Sequence, residues 1–337
     1  MILTASFPSA DTPPAITLAH YRALITGVAH AGLDAALFVR SPGPATPMLD
    51  GAPLIAALAS VPVGIGLGAS VPLDHTEPFH LARAFAAIDR LTGGRSAVIV
   101  DLTAGVERAA QFGHVAPPDD PDARAVECLE TTAKLWDSWE DDAILVDRPG
   151  GLFTNPDRIH RINHEGMYFT VRGPLNAPRP LQGWPVIIVP VASAESRSFA
   201  AQFADVALIA PTTRDAAQSA CAAIREQVAG HGRRLQAIRI LVDLVPILGA
   251  TTAEAQRRAD AIGQHGSALQ FVGTPSQLRT MMREWDAVGA CDGFNLLPHD
   301  PPVDFGLLAT LPHTPDAAGM TLRDRLRLPR PVNRYAA

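Results

Sequence analysis

The sequence predicts an α/β chain closed into a (β/α)8 TIM barrel, and three observations predict it. Short apolar, β-branched runs alternate with amphipathic stretches, which is the pattern of βα repetition and a parallel sheet. Eight such runs occur, at 2–7, 34–39, 63–71, 97–102, 185–190, 205–210, 237–243 and 292–297. No glycine fingerprint for a dinucleotide opens a helix after the first run, as it would in an open, doubly wound sheet.

The elements follow in order. After the third run, Thr76 is expected to cap a helix with Glu77 and Pro78 in its first turn. Leu81, Phe85, Ile88 and Leu91 then recur at helical spacing, and Gly93-Gly94 ends the helix. Further helices are expected over about 122–139, 194–203, 215–229, 252–262 and 275–288. The gap between the fourth and fifth runs, 102 to 185, exceeds one helix, and structureless loops of that length are uncommon. It is expected to hold an insertion over 140–183 within a single domain, 1–337. Inside it, "HEGMYFTVRGPLNAPRP" at 164–180 alternates like a strand through 167–171, then breaks at Gly173-Pro174, Pro178 and Pro180. That reads as an antiparallel hairpin beside the barrel, followed by a proline arm.

Composition bounds the partners. With 337 residues, 47% hydrophobic and 18% charged, the chain can bury a large core. A net charge of -6 without a Lys/Arg cluster leaves no electrostatic footprint for nucleic acid. The basic tail "RDRLRLPRPVNR" reads as a packed terminus. No apolar run reaches the roughly 18–20 residues of a membrane span, and the N-terminus lacks the basic region of a signal peptide. A cytoplasmic location without membrane attachment is expected. Cys128, Cys221 and Cys291 lie far apart with no metal or disulfide spacing, so buried free thiols are expected. The pairs His75/His80 and His160/His164 lack a third ligand, and no metal is assigned.

Few short motifs carry chemistry. "GIGLGAS" at 64–70 is not followed directly by a helix, so its glycines read as points of close backbone approach within a strand. "TEPFHLAR" holds a Glu and a His at helical spacing, which capping explains without chemistry. "VASAESR" at 191–197 follows the fifth run and opens a helix, where free amides and the helix dipole favour an anion; Ser193 as a plain N-cap is the alternative.

The stretch "LWDSWEDDAILVDRPGGLFTNPDRIHRINHEGMYFTVRGPLNAPRPLQGWPVIIV" resembles the central signature of the nitrilotriacetate monooxygenase component A group of bacterial-luciferase-like flavin monooxygenases. "TEPFHLARAFAAIDRLTGGR", "SFAAQFADVAL", "VGTPSQLRTMMREWDAVGACDGFNLLP" and "GMTLRDRLRLPRPVNR" match in the family's order. The resemblance implies a dimeric luciferase-like barrel that takes FMN reduced by a separate NAD(P)H:flavin reductase and uses O2 on a small organic substrate. It implies phosphate contacts at Ser193 and Arg197, the two positions of the family's phosphate loop that survive here; Ser196, Thr103 and Arg40 are further expected cofactor contacts, Arg40 by pairing with an anion. It also implies that the 164–180 hairpin conserves shape more than chemistry, making His164 and Glu165 structural.

Several positions depart from the family pattern. Arg40 stands where an Asp is expected, Pro72-Leu73 where a Ser/Thr pair is usual, Ile99 for an Asn, and Val191 for a Gly in the phosphate loop. Pro118 and Asp122 replace a His and a Tyr. Each lost bond to a buried polar cofactor costs roughly 1 kcal/mol or more. Between about 263 and 271 only "QHGSALQ" stands where relatives carry a long pocket cover, and the loop after the second run is short. No catalytic acid or base is assigned; His80, Asp101 and His299 are candidates by position near strand ends. The main reading is an FMN-dependent two-component monooxygenase. The alternative is a flavin-poor paralogue that binds another ligand or acts as a partner subunit.

Overall fold

A computed structural model describes residues 1–8, 17–39, 49–103, 105–113, 118–262, 268–310 and 319–336. Arg40 and the loop that follows the second strand lie outside these residues.

Eight parallel strands close into a barrel: β1 Ile2–Pro8, β2 Ala35–Val39, β3 Gly66–Pro72, β4 Ser96–Asp101, β5 Val186–Val191, β6 Val206–Ile209, β7 Arg239–Leu248 and β8 Gly293–Leu296. Closure is made by β1 beside β8, with Ile2 opposite Gly293. All eight runs read from the sequence are barrel strands, and they are near-continuously apolar because both faces are covered. A further parallel strand, Leu269–Gly273, pairs with the last part of β7 and extends the wall beyond the barrel. Sequence reading placed no strand there.

Alternate residues point into the lumen, where Leu37, Ile99, Ile188, Leu208 and Leu241 form one cluster. The opposite faces join the helices in a larger outer core that includes Phe38, Leu67, Val98, Val189 and Phe294. The glycines of "GIGLGAS" belong to the lumen packing. A Cβ on Gly68 would lie 2.8 Å from Leu37 and 3.3 Å from Ile99, and one on Gly66 would meet Leu322. The basic tail packs as well: Leu322, Leu326 and Leu328 join the lumen cluster, and Arg323 is buried against Asp205 at 2.6 Å.

Helix Pro78–Leu91 begins one residue later than Thr76 as its cap requires. Glu77 is the N-cap, with no side-chain capping bond, and the Thr76 hydroxyl instead donates to the Pro72 carbonyl, closing the loop after β3. Helix Pro121–Asp137 starts from Asp120, whose carboxylate accepts from the Ala123 amide at 2.9 Å. Helix Ala194–Phe203 follows β5 and opens with a reciprocal Ser193/Ser196 capping box.

Two small antiparallel ladders lie between β4 and β5: Ile144–Asp147 with Leu152–Thr154, which sequence reading missed, and His164–Glu165 with Thr170–Val171. The alternation expected over 167–171 narrows to the last two residues, because the amides of Met167, Tyr168 and Phe169 turn to the Glu127 carboxylate. The proline arm delivers Arg179 into a buried pair with Asp137 at 2.9 Å, and Arg179 also donates to the Pro331 carbonyl. The arm therefore anchors the C-terminal tail.

Candidate functional site at the barrel rim

In barrels of this kind the loops at the carboxyl ends of the strands build the site. Four of the five cofactor positions expected from sequence lie among the described residues, at the ends of two neighbouring strands: Thr103 after β4, and Ser193, Ser196 and Arg197 after β5. The fifth, Arg40, lies outside them.

The β5 corner is the better defined. The Ser193 hydroxyl accepts from the Ser196 amide at 3.2 Å. The Ser196 hydroxyl accepts from the amides of Ala192 at 3.0 Å and Ser193 at 2.9 Å. These are the donors that a helix N-terminus would otherwise offer to an anion. Beside them, the Nε of Arg197 is buried with no hydrogen-bond partner among the described residues. Charge on this corner is mixed. Its own backbone amide, and then the Ser193 hydroxyl, hold the exposed Glu195 carboxyl below the usual range. Burial, and then Asp120 and Glu195, push Asp122 up. Acidic groups thus oppose the guanidinium.

The other rim positions are less productive. Thr103 is exposed, and its amide donates to the Asp101 carboxylate at 2.9 Å, so Asp101 serves a turn. His80 is exposed on helix Pro78–Leu91 with Arg83 Nη2 3.5 Å from its ring nitrogen, and His299 is exposed too. Of these acid–base candidates, His80 and Asp101 bond their own chain neighbours, Arg83 and the Thr103 amide. Ile99 and Leu73 are fully buried in packing. Arg124, unremarked in the sequence, donates to the Leu73 carbonyl at 2.7 Å and lies 4.7 Å over the Phe169 ring, tying the β3 loop to the hairpin.

Sequence reading also missed a polar group inside the lumen. Asn295 of β8 accepts from Thr4 of β1 at 2.8 Å and donates to Asp243 of β7 at 2.7 Å. Burial pushes the Asp243 carboxyl up to about 6, against the lowering effect of the Asn295 bond. The available signal was a single polar residue in each of two apolar runs, "ILVDLVP" and "GFNLL".

His164 is held between Glu127 and Lys134, each at 3.1 Å, on the flank of the insertion, consistent with a structural role. All three cysteines are buried and free, with burial raising the thiols to about 12, 11 and 12 for Cys128, Cys221 and Cys291. No helix among the described residues is long and apolar enough to cross a membrane.

A closed parallel barrel of eight strands is the class of architecture shared by many enzymes, and comparison narrows it. The chain belongs to the luciferase-like monooxygenase family, whose profile it matches over residues 1–292. It is 31% identical to N-acetyl-S-(2-succino)cysteine monooxygenase of Bacillus subtilis (strain 168), over 84% of this chain and 82% of that one. It is 36% identical to nitrilotriacetate monooxygenase component A of Aminobacter aminovorans over 64% of this chain, and spans 48% of that relative's length. In architecture it resembles the EDTA monooxygenase of Chelativorans sp. BNC1, with a TM-score of 0.84 over 98% of each chain at 24% identity.

Proposed function

We propose that this chain is the oxygenating component of an FMN-dependent two-component monooxygenase acting on a small organic substrate. A separate NAD(P)H:flavin reductase supplies the reduced flavin, and the chain works as a cytoplasmic homodimer. Family membership and the likeness to oxygenases support the reading.

The observation that carries it is the Arg197 Nε, a buried donor with no hydrogen-bond partner among the described residues, in the first turn of the helix after β5. A buried donor costs free energy until it is paired, and a phosphate beside the helix start pairs it. On this test the residues present fit FMN. Arg197 and the Ser193 hydroxyl would hold the phosphate. Ser196 would have to turn its hydroxyl off the amides of Ala192 and Ser193 to free them for it, and Thr103 would border the cofactor on the β4 side. Reduced FMN, when bound, supplies the electrons and the activation of O2. The protein's own work is orientation and exclusion of water: apolar Leu208, Ile188 and Ile99 line the lumen below the rim.

One observation favours the second reading, a flavin-poor partner subunit: the amides of the phosphate corner are already engaged by Ser196. Titrating the purified chain with FMN and following flavin fluorescence decides between them. Micromolar quenching is expected, and no binding up to millimolar flavin overturns the oxygenase reading.

A further inference from the structure

We propose that Asp243 is a cation-recognition point in the barrel lumen, so that the substrate entering from the rim presents a protonated amine to its unengaged carboxylate oxygen. The inference names the substrate class of the site proposed above and rests on that site being the rim.

The geometry starts with alternation. Asp243 lies two residues beyond Leu241 on β7, and Leu241 belongs to the lumen cluster, so Asp243 faces inward one step nearer the carboxyl rim. Asn295 fixes which of its oxygens is engaged. The Asn295 carbonyl accepts from the Thr4 hydroxyl at 2.8 Å, while the Ser6 oxygen lies 3.1 Å from that carbonyl and 2.9 Å from the Asn295 amide nitrogen, so Thr4 sets the side-chain orientation. That amide donates to Asp243 Oδ1 at 2.7 Å. A flipped Asn295 would set oxygen against oxygen. Oδ2 is left without a hydrogen-bond partner among the described residues, on a side chain that is only partly buried.

Charge completes the argument. Asp243 is bonded by Asn295 from β8, which in turn holds Thr4 and Ser6 from β1, and no cation is among the groups that shift it. Arg239, on the same strand, is turned to the carbonyls of Leu326 and Arg327 at the opposite end. A carboxylate in low dielectric with one neutral donor is under-compensated, which is why burial raises it. A ligand ammonium supplies the missing charge and a charge-assisted hydrogen bond. A neutral ligand of the same shape supplies neither.

The test is calorimetric titration of the full-length protein with benzylamine and with benzyl alcohol, at pH 7.5 and at pH 5. At the higher pH the amine is expected to bind on the order of tenfold or more tighter than the alcohol. That preference is expected to vanish in Asp243→Asn and to shrink in the unmodified protein at pH 5, where the carboxyl gains a proton and the amine keeps its charge. The pH arm needs no variant, so a misfolded substitution does not blunt the test. Equal binding, no binding of either probe, or a preference that survives in Asp243→Asn overturns the inference. FMN is titrated separately: a chain that binds FMN but ignores the amine overturns this inference alone, and one that prefers the amine but takes no FMN overturns the oxygenase reading alone.

Discussion

The Ser196 hydroxyl lies 2.9 Å from the amide nitrogen of Ser193 and accepts its hydrogen, so this side chain occupies the place an anion would take at the helix start. A second amide, that of Ala192, points to the same oxygen. These two amides are therefore engaged before any ligand arrives, while the Arg197 Nε beside them is not.

Removing that hydroxyl should open the corner. Ser196→Gly is expected to tighten FMN binding by about twofold to tenfold, the worth of one net hydrogen bond no longer displaced. Stability should fall by about 1 kcal/mol through loss of the capping box. Parallel flavin titration and urea melts of the two proteins check both. Unchanged affinity would mean that the phosphate does not use these amides.

The proline arm should prove structural. Arg179 and Asp137 are 3% and 0% exposed, and Arg334 and the Trp184 indole share the same carboxylate. Arg179→Met leaves Asp137 buried with weaker compensation and is expected to cost about 3 kcal/mol. Urea denaturation reads this, and a loss under 1 kcal/mol would contradict the assigned role.

The hairpin should release in acid. Burial alone would raise the Glu127 carboxyl, but the bonds from His164 and from the amides of Tyr168 and Phe169 outweigh it and hold the group below its ordinary range. An acid depressed by folding adds stability above its unfolded pKa and loses it as pH falls through the folded one. The amide resonances of Met167, Tyr168 and Phe169 are thus expected to move together below pH 4.5, the ordinary glutamate value, and to lose that transition in Glu127→Gln. Amides that shift instead above that pH would show that another group clasps the turn.

The cysteines should be silent. With their thiols raised to between about 11 and 12, none forms appreciable thiolate at pH 8. An aromatic disulfide reagent is expected to titrate no thiol in the native protein and all three after denaturation. Rapid native reaction of even one would place it nearer the surface than Cys128, Cys221 and Cys291 lie here.

How much of this was legible follows from what each feature depends on. Barrel strands are apolar on both faces and separated by capped helices, so local sequence marks them; β7 and β8 could be read although over forty residues separate them. The cap assignment failed by one residue at Thr76, because its hydroxyl finds the Pro72 carbonyl across the loop, a contact set by the path of the chain. The strand expected through Met167 was shortened for a similar reason, since Glu127 lies about forty residues away and captures its amides. The polar lumen was invisible because Thr4, Asp243 and Asn295 are each single residues in apolar runs, and only barrel closure brings β1, β7 and β8 together. At the phosphate corner the motif pointed to Ser193, Ser196 and Arg197, but not to which donors they would leave free.

The most direct measurement compares FMN with riboflavin, which differs only in lacking the phosphate, in the unmodified protein and in Arg197→Met. FMN is predicted to bind at micromolar concentration and at least about tenfold tighter than riboflavin, with that advantage gone in the variant. Equal binding of the two flavins, or an FMN advantage untouched by loss of the Arg197 guanidinium, would contradict the placement of the cofactor at the end of β5.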